Sequence, residues 1–122
     1  MPQITVEYSA SLSDAFDRRA FALALHPVLA EVAGSELGSF KTRSYRLDEA
    51  VVGDGASGES MVHVRVGLFS GRDAATKAAV ADATLSVLTA HLATVSGQRV
   101  QATVEIAELD KDSYRKQYVG GL

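Results

Sequence analysis

The 122-residue chain contains no cysteine. That excludes disulfides, thiolate metal ligands and thiol nucleophiles, and it agrees with a reducing, cytoplasmic setting. Excess positive charge is missing too: the formal net charge is −3 at pH 7, so no basic footprint points to nucleic acid. No apolar run approaches the roughly 20 residues that span a bilayer, and the amino-terminal residues lack the basic-then-apolar pattern of a secretory signal. Neither a membrane nor a nucleic acid is therefore expected as a partner. His26, His63 and His91 stand at no metal-ligand spacing from each other or from a carboxylate cluster, so no metal site is expected. There is no Gly-x-Ser-x-Gly elbow and no recognisable Ser/His triad. The loop Gly53-Asp54-Gly55-Ala56-Ser57-Gly58-Glu59 lacks the Gly-Lys-Ser/Thr ending of a phosphate loop. Proline occurs only at positions 2 and 27.

What is present is an ordinary globular composition, 47% hydrophobic and 22% charged, in a length that suits one domain with a real core. Ile4, Val6 and Tyr8 alternate with Thr5 and Glu7, which predicts a half-buried strand. Residues 14 to about 32 read as a helix with Phe16, Ala20, Leu23, Ala24, Val28 and Leu29 on one stripe; Pro27 is expected to kink or split it. A second, polar strand follows from Phe40 to about Asp48. Met61 to Phe69 predicts a third strand with Val62, Val64, Val66 and Leu68 on one face. A long alanine-rich helix is expected from Arg72 to about Val95, and a fourth strand from Arg99 to Glu108. Residues 110–122 form a charged tail, either frayed or wrapped on a partner chain.

The order is β-α-β twice, and the halves superimpose at an offset of 60, placing Ile4 on Val64, Val6 on Val66, Val28 on Leu88 and Phe40 on Val100. Such a repeat predicts an α+β domain over residues 1–122, with pseudo-repeats at about 2–52 and 61–109. Each unit is one parallel βαβ with a right-handed crossover. Joined, they make a four-stranded sheet with two helices on one face. The other face, partly apolar, is left open, which predicts an oligomer.

Three features could carry chemistry. Removal of Met1 would expose Pro2 as a secondary amine at a strand end. Desolvation would lower its pKa towards the range where general bases work. Alternatively, Pro2 merely starts an edge strand, where a missing N–H is harmless. Arg72 follows Phe69-Ser70-Gly71, with Ser70 as the expected N-cap and Asp73 at the third helical position. A cation in that first turn opposes the helix dipole, so it would be kept there to bind a carboxylate, or be a surface arginine paired with an acid. Lys41 and Arg43 share one face of the second strand with Tyr45. They could hold a second carboxylate, or form a solvated edge that blocks aggregation. In the repeat, Pro2 falls on Val62 and Arg72 on Leu12, so both features are unique to one half.

These residues resemble the 5-carboxymethyl-2-hydroxymuconate Δ-isomerase family of the tautomerase superfamily. The similarity runs through Met1-Pro2-x-Ile-x-Val-Glu7-x-Ser9, Pro27, Arg43 with Asp48, Val62-His63, Gly71-Arg72 and Glu105-Ile106-x-Glu108-Leu109, over nearly the whole chain. The resemblance implies a tautomerase-like homo-trimer in aromatic-compound degradation, with no cofactor. It also implies Pro2 as general base, and Arg72 as a binder of the carboxylate groups of a small unsaturated substrate. Lys41 stands where the family isomerase has arginine, keeping the charge but losing the bidentate fork; Arg43 matches and could compensate. Tyr45 replaces a histidine, and the tail diverges. Two other readings fit the element order: a tautomerase acting on another small 2-oxo acid, and a non-catalytic ferredoxin-like ligand-binding domain. Parallel pairing within each unit separates the first two from the third.

Overall fold

The computed structural model describes residues 1–93 and 95–121. Its elements run β1 (Gln3–Ser9), α1 (Arg18–Ala33), β2 (Lys41–Leu47), β3 (Ser60–Phe69), α2 (Ala74–Leu92) and β4 (Val100–Leu109). The strands form one sheet in the order β2-β1-β3-β4. β1 pairs parallel with β2, β3 pairs parallel with β4, and the two units meet through antiparallel β1 and β3. This is the tandem βαβ frame expected from the repeat, and parallel pairing within units sets the ferredoxin-like alternative aside.

The repeat is not perfect. Gln3 pairs with Lys41, 38 residues on, whereas Met61 pairs with Gln101, 40 residues on. The second crossover is therefore two residues longer, and Phe40 corresponds to Ala102, not Val100. A shift of two keeps every side chain on its own face, which is why an ungapped comparison conceals it.

Period-2 alternation puts Ile4, Val6, Tyr8, Val62, Val64, Val66 and Leu68 on the helix side, where each is at most 6% exposed. They meet Phe21, Leu25 and Leu29 from α1 and Val80 and Leu88 from α2, all fully buried. Burying each such side chain contributes roughly 1.5–3 kcal/mol. The buried stripe of α1 differs from the expected one. Leu23 is 58% exposed and Val28 37%: the expected stripe included Phe16, which lies ahead of the helix start at Arg18, and the helix turns Phe21 and Leu25 inward together with Leu29. Leu12 and Phe16 instead fill the sheet end from a tight-turn segment, with Phe16 N–H donating to Leu12 O at 2.9 Å and the Phe16 ring edge-on to Tyr8 at 6.0 Å.

Asp17 starts α1 by accepting from Ala20 N–H at 2.9 Å, and Gly34 ends it with φ 69°, a left-handed conformation that glycine adopts without strain. The helix runs through Pro27 without a break. The hydrogen bond that proline forfeits is the one to Leu23 O, and both Leu23 and Pro27 face solvent, where water can serve that carbonyl. α2 begins at Ala74, capped by Asp73 and not by Ser70: the Asp73 carboxylate accepts from Thr76 N–H at 2.8 Å. That bond also holds the Asp73 pKa below the usual carboxylate value.

Strand registry also defines the sheet face away from the helices. Across it run the rows Lys41–Gln3–Gly67–Ala107, Arg43–Thr5–Arg65–Glu105 and Tyr45–Glu7–His63–Thr103. This face is mostly polar and charged, not the partly apolar surface expected. No helix among the described residues is long and apolar enough to cross a membrane.

Candidate active site

The start of β1 is the meeting point of the chain's predicted functional residues. Pro2 is buried, and its carbonyl accepts from Lys41 N–H at 3.3 Å, extending the β1–β2 ladder by one step. β3 runs antiparallel to β1, so its end delivers Phe69, Gly71 and Arg72 to the same pole. The α-amine of Met1, one residue ahead of Pro2, is held below its usual value of 8.0. Burial is the largest cause; the charges of Arg72, Lys41 and Lys116 add to it in that order. An amine at this spot is surrounded by cations and partly stripped of water. Both effects disfavour the ammonium form.

Arg72 reaches this position by an unexpected route. It lies outside α2, so the argument that its charge opposes that helix's dipole does not hold. Its guanidinium turns to the other helix. Nε and Nη2 donate to Ala33 O at 3.3 and 3.0 Å, Nη2 also donates to Ser35 Oγ at 3.1 Å, and Nη1 donates to Phe69 O at 3.3 Å. Ala33 is the last residue of α1, whose terminal carbonyls lack intrahelical partners and carry the negative end of the dipole. Arg72 is thus a C-terminal cap for α1 whose charge also bears on the amine.

Lys41 Nζ donates to Ser39 O at 3.0 Å, which holds the ammonium at the strand end. Arg43 lies one row further along the open face and donates to Gln3 Oε1; Gln3 Nε2 in turn donates to the Tyr114 hydroxyl at 2.8 Å. Tyr114 packs edge-on against Phe69, with centroids 5.0 Å apart. The tail therefore folds back over its own chain at this pole, and it is not frayed up to Tyr114. Sequence reasoning did not single out Gln3, Tyr114 or Lys116. The clue available was an aromatic residue in a charged, turn-ending tail, an anchor with no visible mate.

Other groups lie elsewhere. His63 bonds Thr103 and Glu105 on the open face, opposite Glu7 and far along β1 from Pro2. A cavity of about 360 Å³ at the opposite pole has Asp48 and Glu59 as its charged lining residues, the wrong sign for a carboxylate. A smaller hollow of about 230 Å³ lies on the open face beside Gln3, floored by Gly67 and Ala107 and edged by Arg65. The Cβ of any larger residue at Gly67 would sit 3.3 Å from Gln3 O, so glycine keeps that floor low. Among the described residues, no cluster of three His, Cys, Asp or Glu is placed to hold a metal ion.

Residues 2–119 match the family model described as CHMI: 5-carboxymethyl-2-hydroxymuconate isomerase. The chain belongs to this isomerase family. Among solved structures, it is similar to a 5-carboxymethyl-2-hydroxymuconate isomerase from Deinococcus radiodurans R1, at 27% identity and TM-score 0.83, covering 95% of this chain and 88% of that one. A 5-carboxymethyl-2-hydroxymuconate delta-isomerase shares the fold at 18% identity and TM-score 0.82, covering 98% and 89%. A fused 4-OT protein described as a wild-type symmetric trimer shares it at 22% identity and TM-score 0.69, covering 98% and 94%. No match was found among curated proteins. The fold is that of the tautomerase superfamily.

Proposed function

We propose that the protein converts a 2-hydroxy-2,4-dienoate, of the 5-carboxymethyl-2-hydroxymuconate kind, to its 2-oxo-3-enoate. The setting proposed is cytoplasmic catabolism of aromatic compounds. With Met1 removed, the Pro2 nitrogen is the base. It takes the proton from the C2 hydroxyl, leaving a dienolate whose charge spreads to C5. The same nitrogen returns that proton to C5, so the double bonds move to C2=O and C3=C4 and no atom is gained or lost. Lys41 and Arg72 hold substrate carboxylates and favour the enolate charge. Arg43 positions Gln3 and, through it, the Tyr114 end of the tail. Because the base must be unprotonated, kcat/KM falls as the pH drops through the pKa of that amine.

The single observation that supports this reading is the convergence of Arg72, Lys41 and Lys116 on the partly buried Met1 amine, one residue ahead of Pro2. A trimer is part of the proposal. The sheet ends in two unpaired edges, β2 and β4, and among the described residues only the tail contact at Gln3 and Phe69 lies over its polar open face. Two fused 4-OT proteins with this fold are described as symmetric trimers.

The test is the amino terminus itself. Intact-mass measurement identifies protein that begins at Pro2, and that form is expected to convert dienols to enones at a rate followed by ultraviolet absorbance. A variant with one alanine inserted after Met1 buries the proline nitrogen in an amide and is expected to lose at least about 100-fold in kcat. Undiminished turnover would remove Pro2 from the mechanism.

A further inference from the structure

The tail brings a third cation to the amino-terminal pole. Tyr114 is fixed twice, by its ring against Phe69 and its hydroxyl on Gln3. Two residues on, Lys116 Nζ stands 4.0 Å from Met1 Sδ and 4.7 Å from the centre of the Tyr118 ring. No carboxylate among the described residues pairs with that ammonium. The other two cations are more fully engaged. Arg72 donates to Ala33 O, Ser35 Oγ and Phe69 O, and Lys41 to Ser39 O. Arg115, next to Lys116, turns away and donates to Asp112 O and Tyr114 O. So, of these three cations, the one on the tail has no oxygen acceptor among the described residues. It faces the Met1 side chain, and removal of Met1 frees the space in front of it.

We infer that Lys116 is a substrate-binding residue that holds one carboxylate of a dicarboxylic ligand, brought beside the amino terminus by a tail that Tyr114 pins to the strand ends. This deepens the proposed isomerase function by assigning specificity for doubly charged acids, and it rests on that reading. A Lys–carboxylate contact at a partly exposed site changes affinity by a factor of about five. The tail then distinguishes di- from monocarboxylates, and the discrimination weakens with added salt.

The experiment uses the protein with Met1 removed, as wild type, Lys116→Ala and Lys116→Arg. Two readouts need no turnover. The first is binding of a saturated six-carbon dicarboxylate and of its monocarboxylate counterpart by calorimetry. The second is the pH dependence of alkylation at the Pro2 amine, read by intact mass. Lys116→Ala is expected to weaken the diacid about fivefold and the monoacid by less than twofold, and to shift the amine's titration to higher pH, since a repelling cation is gone. Lys116→Arg is expected to restore both. Equal diacid affinity in wild type and Lys116→Ala would overturn the inference, as would equal loss for mono- and diacid. A wild type that binds diacids through Lys116 yet leaves dienols unchanged would instead sink the isomerase reading alone.

Discussion

Arg72 shows how one side chain can do two things. Its donors close the end of α1, and its charge reaches the amine. Arg72→Ala is therefore expected to lower folding stability by about 1–3 kcal/mol in urea denaturation, because a charged cap and several hydrogen bonds disappear together. It should also weaken diacids more than neutral enols. Arg72→Lys keeps the charge without the fork, so it should recover part of the diacid selectivity and little of the stability. A loss of stability with no change in diacid selectivity would leave Arg72 as a cap only. The sequence made Arg72 conspicuous but for a mistaken reason. The helix starts at Asp73's cap, and nothing local in Ser70-Gly71-Arg72-Asp73 reveals that the guanidinium crosses to a helix 39 residues earlier. His26 offers a pH test. Its imidazole packs on Phe40 and bonds Thr42 Oγ1 at 2.7 Å, and burial lowers its pKa below 6.5. The unfolded chain then binds the proton more readily than the folded one. This contribution is present above pH 6.5 and is lost as pH falls through the lower folded value. Urea midpoints of wild type should thus decline more steeply with acid than those of His26→Gln.

Among the elements, the strands were the most legible, since alternation of Val62, Val64, Val66 and Leu68 allows one buried face and no other. Helix starts were less so. The expected start at residue 14 falls in a tight-turn segment, which drops Leu12 and Phe16 onto the sheet end. The first helix instead begins at the Asp17 cap. Asp17→Ala should cost about 1 kcal/mol by removing the acceptor for Ala20 N–H. Leu25→Ala, which empties a fully buried position of the same helix, should cost about 2–5 kcal/mol. Urea denaturation with unchanged m-values checks both; a Leu25→Ala effect below that of Asp17→Ala would contradict the core assignment. The tail was the least legible element, because its anchor depends on Phe69 and Gln3, residues of two other strands.

At the scale of the whole molecule, duplication told most of the architecture: a repeat of βαβ units dictates parallel pairs, and the strand order follows once the units join through β1 and β3. The assembly is a matter of surfaces. Tyr118 and Val119 are 80% and 92% exposed at the end of the tail, and both outer strands offer unpaired backbone groups. Multi-angle light scattering is expected to give three times the subunit mass of 12.9 kDa. A monomer at micromolar concentration would contradict the trimer. The open face that an oligomer would cover is richer in charge than its sequence suggested, so such an interface is expected to be salt-sensitive.

The antiparallel joint between β1 and β3 gives the fold two poles that look alike but are not equally armed. A polypeptide has only one beginning, so only one pole can own a chain-starting nitrogen. The mirror position belongs to Val62, with Leu12 in place of Arg72 and Thr103 in place of Lys41. Rewiring the chain to open with a proline at position 62 would move the amine to the pole of Asp48 and Glu59, whose charges favour the ammonium form and leave it protonated and idle. Duplication here doubled the scaffold without doubling the chemistry.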